Sequence, residues 1–461
     1  MDEYQQHADR LQQRVDAAET YRPNGGEPPE EPPEISTHDG YAKDLLSCYT
    51  RADGAVPIAA DGKLYRYSDI EGIWVGMEPD AVRAEVASVY DGGKRCCTVN
   101  DYRSIVDQMM IRSGGQERFD TAPVGIVTRD GFTTIDADGN VSTKPCSHEQ
   151  YQRFKLEASP SEEAMPLWKA HLSRVFAGDE AQIDLLQEVF GAVLFRLMWR
   201  YEKVCMLLGQ GQTGKSKTLD VLQALLPKRY QCATSPFNWE SEYYVAALAG
   251  KWLNVVGELP EDKPIPSAPF KQVTGRDLVQ GRHPTHRPFE FRCTAAHLFN
   301  SNHLINTRDR SSAFFRRWLI LQFCNVIPDD EVDENFGDKI IAQELPQILQ
   351  WAITGAARVL KRGFTATETH RSVMRRWQVE NNSVLSWLLT SEDIELDGER
   401  QVLRSSLFLP YHQWCLDEER KPLGRRNFVK ELANPVVIKE TGISSKLIDG
   451  QDYIVGLRLR R

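Results

Sequence analysis

Eight residues constrain this chain more than any others. Gly209-Gln210-Gly211-Gln212-Thr213-Gly214-Lys215-Ser216 satisfies the spacing G-x-x-x-x-G-K-[ST] in full. The setting sharpens the pattern. Val204 to Leu208 is an apolar run that reads as a buried strand, and Ser216 to Leu226 reads as a helix. Glycines at 209, 211 and 214 let the backbone curl so that successive N–H groups face one anion at the positive end of the helix dipole. A lysine at 215 then reaches the β- and γ-phosphates of a nucleotide, and a hydroxyl at 216 joins a Mg²⁺ ion. The expectation is a phosphate cradle for ATP or GTP made by Gly209, Gln210, Gly211, Gln212, Thr213, Gly214, Lys215 and Ser216, with Lys217 beside them. The plainer alternative, a chance glycine-rich turn, leaves the strand before it and the helix after it unexplained.

Three further strand candidates follow. Trp252 to Val256 ends at Gly257 and is followed by Glu258, a carboxylate placed to polarise a water or hold a metal's shell. Ala295 to Phe299 runs into Asn300-Ser301-Asn302, whose amides suit sensing a γ-phosphate. Trp318 to Phe323 is preceded by Arg316-Arg317; arginines stay charged and span two phosphate oxygens, so they suit a finger reaching into a neighbouring subunit. Taken singly, a Glu after a strand is commonly a solvated turn residue and an Arg pair commonly plain surface. Order and spacing carry the reading.

With these motifs in view the chain resembles the superfamily 3 helicases, in their phage and poxvirus-type primase-helicase branch. The matching segments are GQGQTGKS (209–216), WLNVVGELPE (252–261), FKQVTGRDLVQGR (270–282), AAHLFNSNHLI (295–305) and FFRRWLILQF (314–323). The resemblance implies an AAA+-like P-loop NTPase core, an α/β fold, that assembles as a homo-hexameric ring and moves along single-stranded DNA using ATP and Mg²⁺. It implies Glu258 as the catalytic carboxylate, Asn302 as the polar sensor and Arg316 as the trans finger, with Arg317 as the alternative. Ser216 and Glu258 are the implied metal-shell residues. Many family members carry two acidic residues at the second motif, whereas this chain has Gly257 then Glu258. That favours the water-activating role of Glu258 over the metal-holding one.

The stretch Phe270 to Arg292 reads as two short strands, Leu278 to Arg282 and Phe289 to Arg292, joined by a turn. Lys271, Arg276, Arg282, Arg287 and Arg292 outnumber Asp277 and Glu290, and such a hairpin suits tracking a phosphate backbone without reading bases. Lys271, Arg282, His283, His286 and Arg287 are its candidate DNA contacts. The two histidines lack a Cys or acidic partner at metal-ligand spacing, so they read as polar or DNA-facing. A solvated basic hairpin without function is the bland alternative.

Composition bounds the remainder. The 461 residues, 41% hydrophobic and 26% charged, suit a globular protein of about three domains. No stretch approaches a membrane span, and the N-terminus is too polar for a signal peptide. Nine cysteines without C-x-x-C spacing fit a reducing cytoplasm. A net charge of −9 confines any DNA contact to local basic surfaces.

Along the chain the expected division is a polar helix at 1–21, a Pro/Gly/Glu-rich linker at 22–38 and a small α+β N-terminal domain at 39–160. A helical collar at 161–200, the ATPase core at 201–330, a helical region at 331–395 and a winged-helix-like C-terminal domain at 396–461 complete it. Within these spans helices are expected over Glu162 to Phe176, Glu180 to Trp199, Asp333 to Lys361 and Thr365 to Leu389. The tail carries Arg420, Lys421, Arg425, Arg426, Lys430, Lys439 and Lys446, so duplex origin DNA is a second expected partner; a structural cap with a basic face is the equal alternative. Asp136 and Asp138 in D-A-D-G suit a hairpin turn far better than a metal pair. Arg112 to Gln116, which imitates an ABC-transporter signature, lies on the wrong side of the glycine-rich loop.

The functional expectation is an ATP-dependent hexameric DNA helicase in replication of a phage, plasmid or integrated mobile element. Its rivals are an initiator or loader that uses ATP only as an assembly switch, and an ATPase of anti-phage defence.

Overall fold

The computed structural model describes residues 35–261, 263–284 and 287–460. The polar helix expected at 1–21, nearly all of the linker and His286 lie outside them. The described residues divide into two compact units.

The first unit takes the chain up to Asp136, Asn140–Ser159 and the described part of Thr285–Phe291. Helices His38–Tyr49, Pro79–Tyr90 and Val99–Arg112 enclose a core that includes Leu45, Val86, Ile105 and Met109. The third of these helices starts where local chemistry puts it: Thr98 and Asp101 form a reciprocal capping box. Lys63–Ser68 and Ile73–Met77 pair antiparallel, and a third strand, Ile58–Ala60, joins them. Gly125–Thr128, Gly131–Ile135 and Val141–Lys144 make an antiparallel meander. At its second turn the Asp136 carboxylate accepts from the Asn140 backbone N–H and side-chain amide, both at 2.9 Å, so it is consumed in closing the turn. Asp61 and Arg153 form a buried ion pair, with the guanidinium 4.6 Å from the Phe119 ring centroid.

The second unit comprises the described residues of Ala137–Gly139, Pro160–Pro284 and Arg292–Arg461. Its centre is a parallel five-stranded sheet: β1 (Val204–Leu208), β2 (Gln231–Cys232), β3 (Leu253–Val256), β4 (Ala296–Ser301) and β5 (Trp318–Gln322). The spatial order is β5-β1-β4-β3-β2. All five residues of β1 are buried, as both faces of a covered parallel strand must be. The fold is therefore mixed α/β, and the carboxyl ends of β1, β4 and β3 lie side by side, where ligands bind in open parallel sheets.

Helices α1 (Pro166–Val175), α2 (Glu180–Leu194), α3 (Lys215–Ala224) and α4 (Phe336–Arg362) accompany the sheet. Three expected spans are corrected here. The helix expected from Glu162 starts at Pro166, a residue suited to the first helical position. Its N–H groups at Leu167 and Trp168 donate to the buried Glu344 carboxylate on α4, at 2.8 and 2.7 Å, a cap supplied from far along the sequence. The helix expected over Glu180 to Trp199 breaks at Arg196, whose φ of 54° is left-handed and whose side chain donates to Thr294. α2 and α4 touch backbone to backbone: a Cβ on Gly191 would lie 2.2 Å from the Ala356 nitrogen. The helix expected over Thr365 to Leu389 is likewise two, Glu368–Glu380 and Ser383–Thr390, because the Asn382 side chain caps the second.

At the C-terminal end, β6 (Ile394–Leu403), α5 (Phe408–Asp417), α6 (Arg425–Leu432), α7 (Pro435–Thr441), β7 (Ser444–Ile448) and β8 (Gln451–Leu459) form three helices and a three-stranded antiparallel sheet. Leu385, Trp387, Tyr411, Phe428 and Leu457 fill its core. β6, α7 and β7 were not legible in the sequence pattern. Among the described residues no helix is long and apolar enough to cross a membrane.

Candidate functional site

The glycine-rich loop leaves β1 at its carboxyl end. Gly209 donates from its backbone to the Ser301 carbonyl of β4 at 3.1 Å. A side chain there would meet the Phe323 carbonyl at 2.2 Å, so only glycine fits. Gly214 adopts φ +86° and leads into α3, and no side chain caps that helix. The first N–H groups of α3 therefore remain available at the loop, with the positive end of the helix dipole.

Lys215 opens α3 and is buried. Its ammonium donates to the Gly209 carbonyl at 2.6 Å, to the Gln210 carbonyl and to the Thr213 hydroxyl at 3.2 Å. Burial pulls its pKa below the ordinary lysine value. Ser216 is exposed beside it, and Thr213 is buried, donating to the Gln210 carbonyl at 2.9 Å.

A residue the sequence reading missed supports the loop from behind. His171 of α1 is buried, stacked on Trp168 at 5.4 Å between ring centroids, and bonded through Nε2 to the Thr218 hydroxyl at 2.9 Å. Thr218 donates in turn to the Gly214 carbonyl at 3.0 Å, so His171 is the donor in the chain. Burial, reinforced by Arg174, lowers the His171 pKa to about 4, and the ring is neutral. One histidine on an apolar helix face carries no signal by which sequence alone could have picked it out.

The flank of the loop is held by the acidic segment after β5. Gln212 donates to Asp329 at 2.6 Å and accepts from the Ile327 N–H at 2.9 Å. Lys217, expected among the nucleotide contacts, donates to the Glu334 carbonyl at 2.8 Å, so its ammonium serves this segment.

The register places the other elements. Val256 pairs with Phe299, and Ser301 with Leu208, so Glu258 and Asn302 both follow strand ends that adjoin the loop. Both side chains are exposed, and so is Gly257. Asn300 lies inside β4, and its Oδ1 is buried without a hydrogen-bond partner among the described residues. Beneath Glu258, Asn254 is fully buried and bonds Thr234 on both sides of its amide, at 2.7 and 3.0 Å, and His297 at 3.2 Å. Burial lowers the His297 pKa to about 3.

Arg316 and Arg317 occupy the opposite end of the sheet, because Trp318 pairs with the first residue of β1. The two differ in kind. Arg316 is 63% exposed and sits 3.2 Å from the Glu202 carboxylate. Arg317 is buried, donating to the Thr274 hydroxyl at 3.1 Å and to the Ala313 carbonyl, with Glu202 at 3.3 Å. Arg317 is built into the fold and Arg316 projects from it.

Leu278–Gly281 and Phe289–Arg292 form the expected two-stranded sheet. Lys271 lies outside this sheet, on the helix Ser267–Val273, and is paired with Asp309 at 2.8 Å, while Arg282 lies 3.4 Å from Glu242. His283 and Arg287 are exposed in the turn region.

The fold and the loop together define a mixed α/β protein with a glycine-rich strand-to-helix loop at the carboxyl edge of a parallel sheet. A family model described as a family of unknown function, DUF5906, matches residues 207–317, well under half of the chain. No curated protein matches. Among solved structures, the A form apo structure of the NrS-1 C-terminal region is similar at 11% identity and a TM-score of 0.48, covering 91% of this chain and 99% of that one. An apo structure of the same region, residues 305–718, is similar at 11% identity and a TM-score of 0.46, covering 93% and 100%.

Proposed function

We propose that this chain is an ATP-driven DNA helicase that works as a homo-hexameric ring in the replication of a phage, plasmid or integrated mobile element. One observation carries the reading: the uncapped start of α3, Lys215, Glu258 and Asn302 converge on the carboxyl edge of β1, β4 and β3. The residues suit a magnesium nucleotide. The loop N–H groups and the α3 dipole favour phosphate oxygens, and Lys215 exchanges its carbonyl partners for them. Ser216, with Glu258 as the secondary donor, would hold Mg²⁺, which would neutralise charge on the phosphates. The principal role of Glu258, an exposed carboxylate just past a strand end, is to accept the proton of the attacking water, and Asn302 orients that water. Arg316 supplies charge to the site of the adjoining subunit. His283 and Arg287 grip the DNA backbone.

The test pairs two variants with a forked substrate. Lys215→Ala should lose hydrolysis and weaken nucleotide binding. Glu258→Gln should keep binding and lose turnover, because an amide is no base. Undiminished hydrolysis in both variants would refute the ATPase reading. ATP-dependent assembly without strand separation would replace the helicase with an initiator.

A further inference from the structure

A cavity of about 520 Å³ opens between β6, α5, α6 and β8, away from the glycine-rich loop in the sequence and in the sheet order. Arg404, Arg425 and Arg426 line it, together with Phe408 and Asp452. Asp452 is paired with Arg404, which leaves two guanidinium groups and no second carboxylate in the lining. The Arg425 guanidinium lies over the Phe408 ring, 5.1 Å from its centroid. Arg426 has no acidic partner among the described residues, and both Arg425 and Arg426 are exposed. With Arg404 compensated by Asp452, the two remaining like charges at one concavity repel each other unless an anion sits between them.

We infer that this cavity is a second DNA site, which seats two neighbouring backbone phosphates of a single strand at Arg425 and Arg426 and stacks a base on the Arg425 guanidinium above Phe408. Several features select a strand over a free anion. A small-anion site encloses its ligand with buried donors, whereas Arg425 and Arg426 are exposed. The positive surface continues past the cavity, because Lys430 is exposed one helical turn beyond Arg426 on α6. The half-buried Phe408 backs the Arg425 guanidinium, a platform that can receive an unpaired base but not a stacked pair. Guanidinium planes hold phosphate oxygens and stack on bases, and both uses are open to Arg425.

The site stands apart from the motor reading, since none of its residues belongs to the loop, to Glu258, to Asn302 or to the hairpin. The test uses the whole chain. Arg425→Glu with Arg426→Glu reverses two exposed charges, and Arg426→Ala alone is a milder second variant. Affinity for a fluorescent oligothymidine is measured across a salt series, with basal ATP hydrolysis in the same samples. The charge reversal should weaken DNA binding by about tenfold or more and flatten the slope of log K against log salt by about 1.4, the contribution of two single-strand phosphate contacts. Arg426→Ala should give about half that change in slope. Basal hydrolysis should be unchanged. Parental affinity and slope in the reversed variant would overturn the proposal, as would weakened binding of inorganic phosphate with DNA affinity intact. A parental protein without hydrolysis would sink the motor reading and leave this outcome readable.

Discussion

Arg316→Ala separates a shared active site from a self-contained one. The parallel register puts Trp318 opposite Val204 and Gln322 opposite Leu208, so four strand steps separate the Arg316 end of β1 from the loop end. At about 3.3 Å per step that is roughly 13 Å, longer than an arginine side chain. Arg316 therefore cannot complete the site of its own subunit, and Glu202 at 3.2 Å is its only close acid among the described residues. If it completes a neighbour's site, Arg316→Ala should bind nucleotide as the parent does and hydrolyse it about 10³-fold more slowly, the lower end for an arginine finger. Mixing it equally with Glu258→Gln makes the expectation quantitative. In randomly mixed rings about one interface in four joins an intact Glu258 to an intact Arg316, so two inactive proteins should recover roughly a quarter of parental hydrolysis. Steady-state phosphate release is the assay, with ring composition checked by light scattering and tagged subunits. Confirmed mixed rings that stay inactive would refute the shared site. Parental hydrolysis by Arg316→Ala would reduce the residue to a surface partner of Glu202. Arg317→Ala offers the contrast: it should lower stability, because the lost group is buried and bonded.

Replacing His283 and Arg287 with Ala should leave basal hydrolysis intact while DNA stimulation and unwinding are lost; fork unwinding at the parental rate would remove the hairpin from the DNA path. Acid should destabilise the second unit in a defined window. Burial holds His171 at about 4 and His297 at about 3, while both titrate near 6.5 when unfolded. The unfolded chain therefore takes up protons that the folded chain refuses. Stability is fully present above pH ~6.5 and falls below it by about 1.4 kcal/mol per pH unit for each histidine. Urea midpoints at pH 7.5 and 5.5 measure this, and equal midpoints would contradict it. In the first unit, Arg153→Met should cost about 3–5 kcal/mol by leaving the Asp61 carboxylate buried and unpaired. Adding Asp61→Asn should recover much of that loss in thermal unfolding.

Local chemistry was legible in the residues themselves. The glycine-rich loop, the strand before it, the start of α3 and the Asp136–Asn140 turn all depend on neighbours a few positions apart, and the Thr98–Asp101 capping box is local in the same way. Backbone sterics and short hydrogen bonds decide such features without help from the rest of the chain. The carboxyl-edge positions of Glu258 and Asn302 were equally legible, since each directly follows an apolar strand.

What the tertiary structure alone decided is everything that depends on partners distant in sequence. The start of α1 is set by Glu344, 177 residues from the N–H of Leu167 that it caps. The break at Arg196 follows a bond to Thr294, and Lys217 turns aside to a carbonyl at position 334. His171 became visible as the brace of the loop only when α1 was packed against α3. Arg316 and Arg317 are identical and adjacent as letters; burial against Thr274 and Glu202 makes one a strut and leaves the other projecting. Periodicity and spacing report which residues seek the interior and which turns the backbone can make, because those preferences belong to single residues and short segments. The strand order β5-β1-β4-β3-β2, and with it the meeting of three strand ends at one edge, arises from packing between segments tens of residues apart, and no local pattern encodes it.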